Sequence, residues 1–385
     1  MITRIAFFSW ESLHSIKVGG MGVHVSKLAE ALVRDGKEVH IFTRRGEGQG
    51  AYELIKGVHY HRCLFDYSPD FIAEIRNMCG AFAYHFFEVE REFGRFDVIH
   101  GHDWLSVYAL EWIKKVRDVP AVMTFHSTEY GRCGNNLYDG MSRAVRDIEW
   151  WGGYIADQVI TVSKNLKREI GWLFSIPDYK VEVVPNGIDS GWFTVDIEKN
   201  EAKKRYGIGT DDPTCLFVGR MNHQKGPDLL VEALPDLISK FPDAKFLWVG
   251  EGYLKAGVEQ RACDLGVHDA CRFLGFVPEA ELPGAYAAAD AVCVPSRNEP
   301  FGIVVLEAWS LANPVVVTHN GFDFVDHGKD GLKVYTWPDS IAWGIGGIFS
   351  DPEWADLMGR NGKQKARDFS WDAVAEKTME VYRRC

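Results

Sequence analysis

Ala291-Val-Cys-Val-Pro-Ser296, followed two residues later by Glu299-Pro-Phe-Gly-Ile-Val-Val-Leu-Glu307, reads as a strand, a polar turn and a helix. The first run is short, apolar and closed by Pro-Ser, as a buried strand is. Pro300 suits a first helical turn, where its missing N–H has no partner to lose, so the helix is expected to open there and run to about Ala312. Phe301, Ile303, Val304, Val305, Leu306, Ala308 and Trp309 make it apolar on nearly every side, the pattern of a helix inside a core. A buried strand leading into a buried helix is the unit from which parallel sheets are wound, and it sets the fold class as α/β.

Two carboxylates in such a place need polar partners, because an isolated buried charge is costly. Glu299 is expected at the mouth of the helix and Glu307 roughly 10 Å along its axis. Between them, N–H groups near Phe301 and Gly302 would form an anion site at the positive end of the helix. That layout fits a long polar ligand with phosphate in its middle. The same residues also fit a helix whose first-turn acid offsets the dipole and whose Glu307 is paired in the core.

Outward from this stretch, strand and helix patterns alternate along the whole chain. In the first half, strands are expected at 4–10, 38–44, 96–102, 121–126, 158–162 and 181–184, with helices at 23–34, 71–93, 105–116, 141–155 and 166–174. The turn Val184-Pro-Asn-Gly-Ile-Asp189 interrupts the pattern, which restarts with strands at 215–219, 245–250, 272–276, 291–295, 315–318 and 332–335. This is two doubly wound α/β domains hinged near 186–195. At 385 residues the chain exceeds one ordinary core, in agreement with that division. Ligands of such sheets bind beyond the carboxyl ends of the strands, so a cleft between the domains is the expected site.

Bulk composition excludes several classes. A net charge of −11 argues against nucleic acid or an anionic membrane as the main partner. The eight cysteines are scattered without zinc spacing and read as thiols of a reducing compartment. Without a leader-like start or an apolar run of about 18 residues, a cytoplasmic protein with no transmembrane segment is expected.

Polar residues placed just after strands carry the chemistry. Val18-Gly-Gly-Met-Gly22 lets backbone approach a ligand closely, although it lacks the full dinucleotide-binding spacing. Gly219-Arg-Met-Asn-His-Gln-Lys-Gly226 supplies Arg220 and Lys225, the local cations that a diphosphate needs. His126 ends a strand beside Glu129 and Arg132, and His100-Gly-His-Asp-Trp104 ends its neighbour. Two histidines and an aspartate can suggest metal, but no helical HxxxH or comparable ligand spacing supports it, so no metal or other cofactor is expected.

Taken together and in this order, these motifs resemble the retaining glycosyltransferases of the GT-B fold, family 4. The resemblance runs through 19–22, 125–132, 184–189, 219–226, 299–307 and the closing Phe369-Ser-Trp371. It implies an N-terminal Rossmann-like acceptor domain (1–190), a C-terminal Rossmann-like donor domain (191–368) facing it across a cleft, and a helix at 369–385 that packs back on the first domain. It implies a nucleotide-sugar donor and a saccharide acceptor. Arg220 and Lys225 would hold the donor diphosphate, and Glu307 the ribose. Glu299 would face the transferred sugar, with N–H groups of Phe301, Gly302 and Ile303 on its hydroxyls or phosphate. Gly20, Met21 and Gly22 would lie against diphosphate and acceptor, His126 would touch the sugar, and His102, Asp103, Glu129 and Arg132 would serve the acceptor.

His100-Gly-His-Asp-Trp104, His126-Ser-Thr-Glu-Tyr-Gly-Arg132 and Glu149-Trp-Trp151 look most like glycogen- and starch-synthase-like members, implying glucose transfer from UDP- or ADP-glucose to a glucan. One departure concerns the segment after Val315-Val-Val-Thr318, where His319-Asn-Gly-Phe-Asp-Phe-Val325 is shorter than the family's loop. Other donors with polysaccharide or small-sugar acceptors, a nucleotide-sugar epimerase, and a non-catalytic nucleotide-sugar sensor are the rival readings.

Overall fold

The computed structural model describes residues 2–194 and 196–385. Val195, at the far end of the expected hinge, lies outside the described residues. The chain forms two compact units: residues 1–130, 136–187 and 371–385 make the first, and 131–135 and 188–370 the second.

The first unit is built on strands β1 (Arg4–Ser9), β2 (Glu38–Arg44), β3 (Tyr52–Ile55), β4 (Val58–Cys63), β5 (Val98–His102), β6 (Ala121–Phe125), β7 (Gln158–Thr161) and β8 (Val181–Val183). Their order is β3-β4-β2-β1-β5-β6-β7-β8, parallel except where β3 runs antiparallel to β4. Helices cover the sheet because its central strands are buried along nearly their whole length. The Phe71–Phe93 and Met141–Ile155 helices occupy the residues that their periodicity predicts.

The hairpin β3–β4 is absent from the sequence reading. Its tight turn is Lys56-Gly57, both at positive φ, where lysine is an uncommon choice. The β3 strand is largely exposed and β4 reads Val-His-Tyr-His-Arg-Cys, so neither presents an apolar run. The polar β4 is nonetheless buried because its histidines find aromatic neighbours: His40 and His61 stack at 5.2 Å, and Phe42 and His61 at 4.9 Å.

The second unit holds β9 (Thr214–Val218), β10 (Lys245–Val249), β11 (Cys271–Gly275), β12 (Ala291–Val294), β13 (Val315–Thr318) and β14 (Leu332–Val334). All pair in parallel, in the order β11-β10-β9-β12-β13-β14. This is the Rossmann arrangement, whose winding reverses between β9 and β12.

The Trp371–Tyr382 helix belongs to the first unit. Trp371, Val374, Met379 and Tyr382 enter the same core as Val25, Leu28 and Leu32 of the Gly20–Arg34 helix. Gly187 gives this helix room, since a β-carbon there would lie 2.7 Å from the Trp371 ring. No helix among the described residues is long and apolar enough to cross a membrane.

Candidate active site

The residues that the sequence singled out in the second unit leave β9 and β12, the two strands at the winding reversal. Past β9, a one-turn helix at His223–Lys225 is capped by Asn222, whose Oδ1 accepts the Lys225 N–H at 3.1 Å. Gly226 then adopts φ 69°, and a β-carbon there would collide with the Pro295 carbonyl beyond β12. Only glycine lets the two loops close. Lys225 Nζ consequently donates to Glu299 Oε2 at 2.6 Å, and Ser296 Oγ donates to the same oxygen at 3.0 Å. Glu299 is buried, and these two groups answer its need for partners.

Arg297 escaped the sequence reading. Its guanidinium forks onto Asp228 at 2.8 and 2.6 Å and donates to the His223 carbonyl at 2.8 Å, tying the β12 loop to the β9 loop. Arg220 is exposed, and its guanidinium has no ion-pair partner among the described residues. The short segment after β13 backs the site despite its length. Asn320 O accepts the Glu299 N–H at 2.9 Å, and Thr318 Oγ1 donates to Ser296 O at 2.6 Å.

The helix expected to open at Pro300 opens at Ile303 and ends at Ser310. Gly302 precedes it at φ 93°, and a β-carbon there would strike Phe322, so the chain turns sharply before the helix begins. Glu299 therefore stands off the helix, and the separation worked from one continuous helix does not apply. The open N–H groups lie about one residue later than expected: those of Gly302, Ile303 and Val304 have no acceptor among the described residues. Phe301 is buried and stacks on Phe324 at 4.7 Å. Glu307 is half-buried, and its Oε2 accepts the Tyr286 hydroxyl at 2.6 Å. Burial, then the Glu307 charge, pushes the Tyr286 pKa well up, so that hydroxyl stays a donor.

In the first unit, the glycines expected in a loop are already helical. The helix runs Gly20–Arg34, so Gly20, Met21 and Gly22 form its first turn. The preceding N–H groups are taken: Glu11 Oε2 accepts those of Val18 and Gly19, each at 2.5 Å. Glu11, buried just past β1, thus fixes the entry to the helix. Glu11 lies eight residues before Gly19 and acts on backbone N–H groups, so no motif marked it in the sequence.

The histidines sort themselves by partner. His100 is a satisfied core residue, paired with Tyr382 Oη and Thr124 Oγ1 at 2.7 Å each. His102, expected at the acceptor, is instead fully buried with Nδ1 3.1 Å from His126 Nε2. That contact fixes the orientation of the His126 ring. Asp103 Oδ1 accepts the His126 backbone N–H at 2.7 Å from a residue held at φ 55°. His24, which carried no sequence signal, packs 4.6 Å from His126 and is oriented by Asn186 Oδ1 at 2.7 Å. Burial brings the His126 pKa down to about 3 and those of His24 and His102 well below the ordinary value. All three rings are neutral near pH 7. Glu129 receives its backbone anchor from buried Glu149, which accepts the Glu129 N–H at 2.8 and 3.1 Å. Arg132 falls in the 131–135 segment that clusters with the second unit.

The nitrogens of His24, His102 and His126 lie within 4.8 Å of one another, close enough to hold a metal ion. Spacing along the chain could not reveal this, because the three come from a helix and two strand ends.

Two family models match: "Glycosyltransferase Family 4" over residues 18–192 and "Glycosyl transferases group 1" over 198–365. An uncharacterized glycosyltransferase of Methanocaldococcus jannaschii is 37% identical across 99% of this chain and 98% of its own length. The glycogen synthase of Mycobacterium tuberculosis is 30% identical over 98% and 94%, and the D-inositol 3-phosphate glycosyltransferase of Corynebacterium jeikeium 32% over 94% and 91%. Among solved structures, sucrose-phosphate synthase from Thermosynechococcus elongatus aligns with a TM-score of 0.84 at 24% identity, covering 99% of this chain and 98% of that one. Two Rossmann-like units matched by these models, together with full-length likeness to glycosyltransferases, establish that the chain belongs to the family 4 glycosyltransferases of the GT-B fold.

Proposed function

We propose that this glycosyltransferase moves glucose from UDP- or ADP-glucose to the end of a glucan with retention at the anomeric carbon. The observation that carries the donor side is the group at the winding reversal: buried Glu299 against Lys225, exposed Arg220, and open N–H groups at 302–304. Positive charge and free donors at one strand edge suit a nucleoside diphosphate. Likeness to a glycogen synthase supports the glucan.

In this reading Arg220 and Lys225 hold the diphosphate, Glu307 takes the ribose hydroxyls, and Glu299 takes hydroxyls of the transferred sugar. The N–H groups beside Phe301, Gly302 and Ile303 serve the sugar or its phosphate. On the first unit, Gly20, Met21 and Gly22 lie against diphosphate and acceptor, His126 contacts the sugar, and Glu129 serves the acceptor, as does Arg132 from the 131–135 segment. His102 and Asp103 position His126. The bond from the anomeric carbon to phosphate breaks while the acceptor oxygen bonds that carbon on the same face. The departing phosphate takes the acceptor's proton, so no protein nucleophile is needed. Cations and N–H donors stabilise the charge developing on the diphosphate, the main electrostatic demand of the step.

Likeness to an inositol-phosphate glycosyltransferase favours a second reading, transfer to a small phosphorylated polyol. Nucleotide release from UDP-glucose, ADP-glucose, GDP-mannose and UDP-N-acetylglucosamine, with glycogen or with inositol phosphate, separates the two. Release from a glucose donor that rises sharply with glycogen and yields α-1,4 product is the expected result. Tight nucleotide binding without release from any donor would reverse the assignment in favour of a sensor.

A further inference from the structure

Beyond β2 and β4, at the carboxyl edge of the first sheet, lies a cavity of about 630 Å³ lined by Arg45, residues 46–50, Leu64 and Tyr67. Its volume falls within the range of small-molecule sites, roughly 300–1,000 Å³. None of these residues belongs to the site described above. Leu64 and Tyr67 are 65% and 75% exposed, an apolar and an aromatic side chain presented to solvent. The rest of the lining is the 45–50 loop, held in shape by Arg45 Nε on Gln49 O at 2.6 Å and by the Gly46 N–H on Gln49 Oε1 at 2.8 Å. The two charged lining groups, Arg45 and Glu47, are opposite in sign. An aromatic face, polar backbone and no net charge suit an uncharged sugar ring better than a phosphate, which would meet Glu47.

Hydrogen bonds tie this cavity to the glycine turn. Gln49 Nε2 donates to Ser15 O at 3.1 Å, Arg62 bridges His14 O at 2.8 Å and Gly50 O at 3.2 Å, and Arg44 Nε donates to Trp10 O at 2.6 Å. The 10–15 segment clamped by these bonds carries Glu11, which anchors Val18 and Gly19. The cavity and the start of the Gly20–Arg34 helix are therefore two ends of one braced edge. From this geometry we infer that the cavity is a distal acceptor subsite, holding a neutral sugar unit of the glucan several residues from the reacting end. The inference rests on the glucan reading above.

The test is nucleotide release driven by maltose, longer malto-oligosaccharides up to maltoheptaose, and glycogen, for the wild-type chain and for Tyr67→Ala, Tyr67→Phe and Leu64→Ser. Both positions are exposed, so the fold is expected to survive. For long acceptors Tyr67→Ala should raise KM about tenfold, the loss typical of one good aromatic contact, with kcat unchanged. Maltose should show no such change, and Tyr67→Phe should restore wild-type values. Equal behaviour of Tyr67→Ala and wild type at every length overturns the subsite while leaving the glucan reading intact. A uniform fall in kcat at all lengths overturns it as well, exposing a structural effect. Wild-type enzyme that ignores every glucan overturns the glucan reading itself, and the subsite with it. Stimulation by a sugar phosphate that Arg45→Ala abolishes would show an anion site and refute a neutral one.

Discussion

Lowering the pH should unfold the first unit well before the second. Nine of the thirteen histidines lie in the first unit, and all nine have pKa values lowered mainly by burial. His61 and His126 come down to about 3 and His40 to about 4, while His24, His100 and His102 fall well below the ordinary value. In the second unit, the histidine with a lowered pKa, His319, is exposed. The sign follows from proton counting: below about pH 6.5 the unfolded chain binds protons that the folded rings refuse, so stability is full above that pH and is lost as pH falls toward the folded values. Each such ring removes about 1.4 kcal/mol per pH unit, and the six acting together remove about 8. Against a domain stability of roughly 5–15 kcal/mol, the first unit should open one to two units below pH 6.5. Hydrogen exchange read by mass spectrometry from pH 7 to 4 would follow the two units separately. Loss of protection first in 196–365, or a first unit still protected at pH 4, would refute the reasoning.

Arg220→Ala should lower kcat by about 2–4 kcal/mol in barrier terms without a change in melting temperature, since the exposed guanidinium has no ion-pair partner among the described residues; steady-state kinetics and calorimetry together check it. Lys225→Met should destabilise the second unit by about 2 kcal/mol by leaving buried Glu299 without its cation. The double variant Lys225→Met/Glu299→Gln should recover stability in denaturant melts but not turnover. Tyr286→Phe should raise the donor KM about tenfold by removing the hydroxyl that Glu307 accepts, seen in initial rates against donor concentration. Activity should persist after exhaustive chelation, and a loss reversed by added zinc would instead assign the metal to His24, His102 and His126.

Most of the fold was legible because its central strands are nearly unbroken apolar runs, and such runs separated by amphipathic helices leave few architectures open. The misreadings fall where burial is achieved by polar residues or where backbone geometry overrides pattern. The β4 strand hides among histidines, which only the stacked neighbours of the folded state make tolerable. The helix after β12 starts late because of the positive φ at Gly302, which apolar periodicity does not register. At the site, Lys225 and Glu299 were both chosen from the sequence, and the fold brings them to 2.6 Å. Glu11, His24, Tyr286 and Arg297 were not, because each acts through a partner distant in the chain or through backbone N–H groups. His102 shows the converse: a motif position marked it for the acceptor, and the fold buries it against His126.

The return of residues 371–385 to the first core has a consequence for synthesis. On a ribosome the N-terminal domain of a protein ordinarily folds first. Here Trp371, Val374, Met379 and Tyr382 complete the core formed by Ile5, Phe7, Leu28 and Val39, yet they are made only after all of 188–370. The earlier-made sheet must wait with part of its apolar surface uncovered and with His100 lacking the Tyr382 hydroxyl. The later-made unit can finish meanwhile. Assembly order is therefore reversed relative to the order of translation, and a chain arrested before Trp371 should expose its N-terminal half to chaperones and proteases while its C-terminal half is already compact.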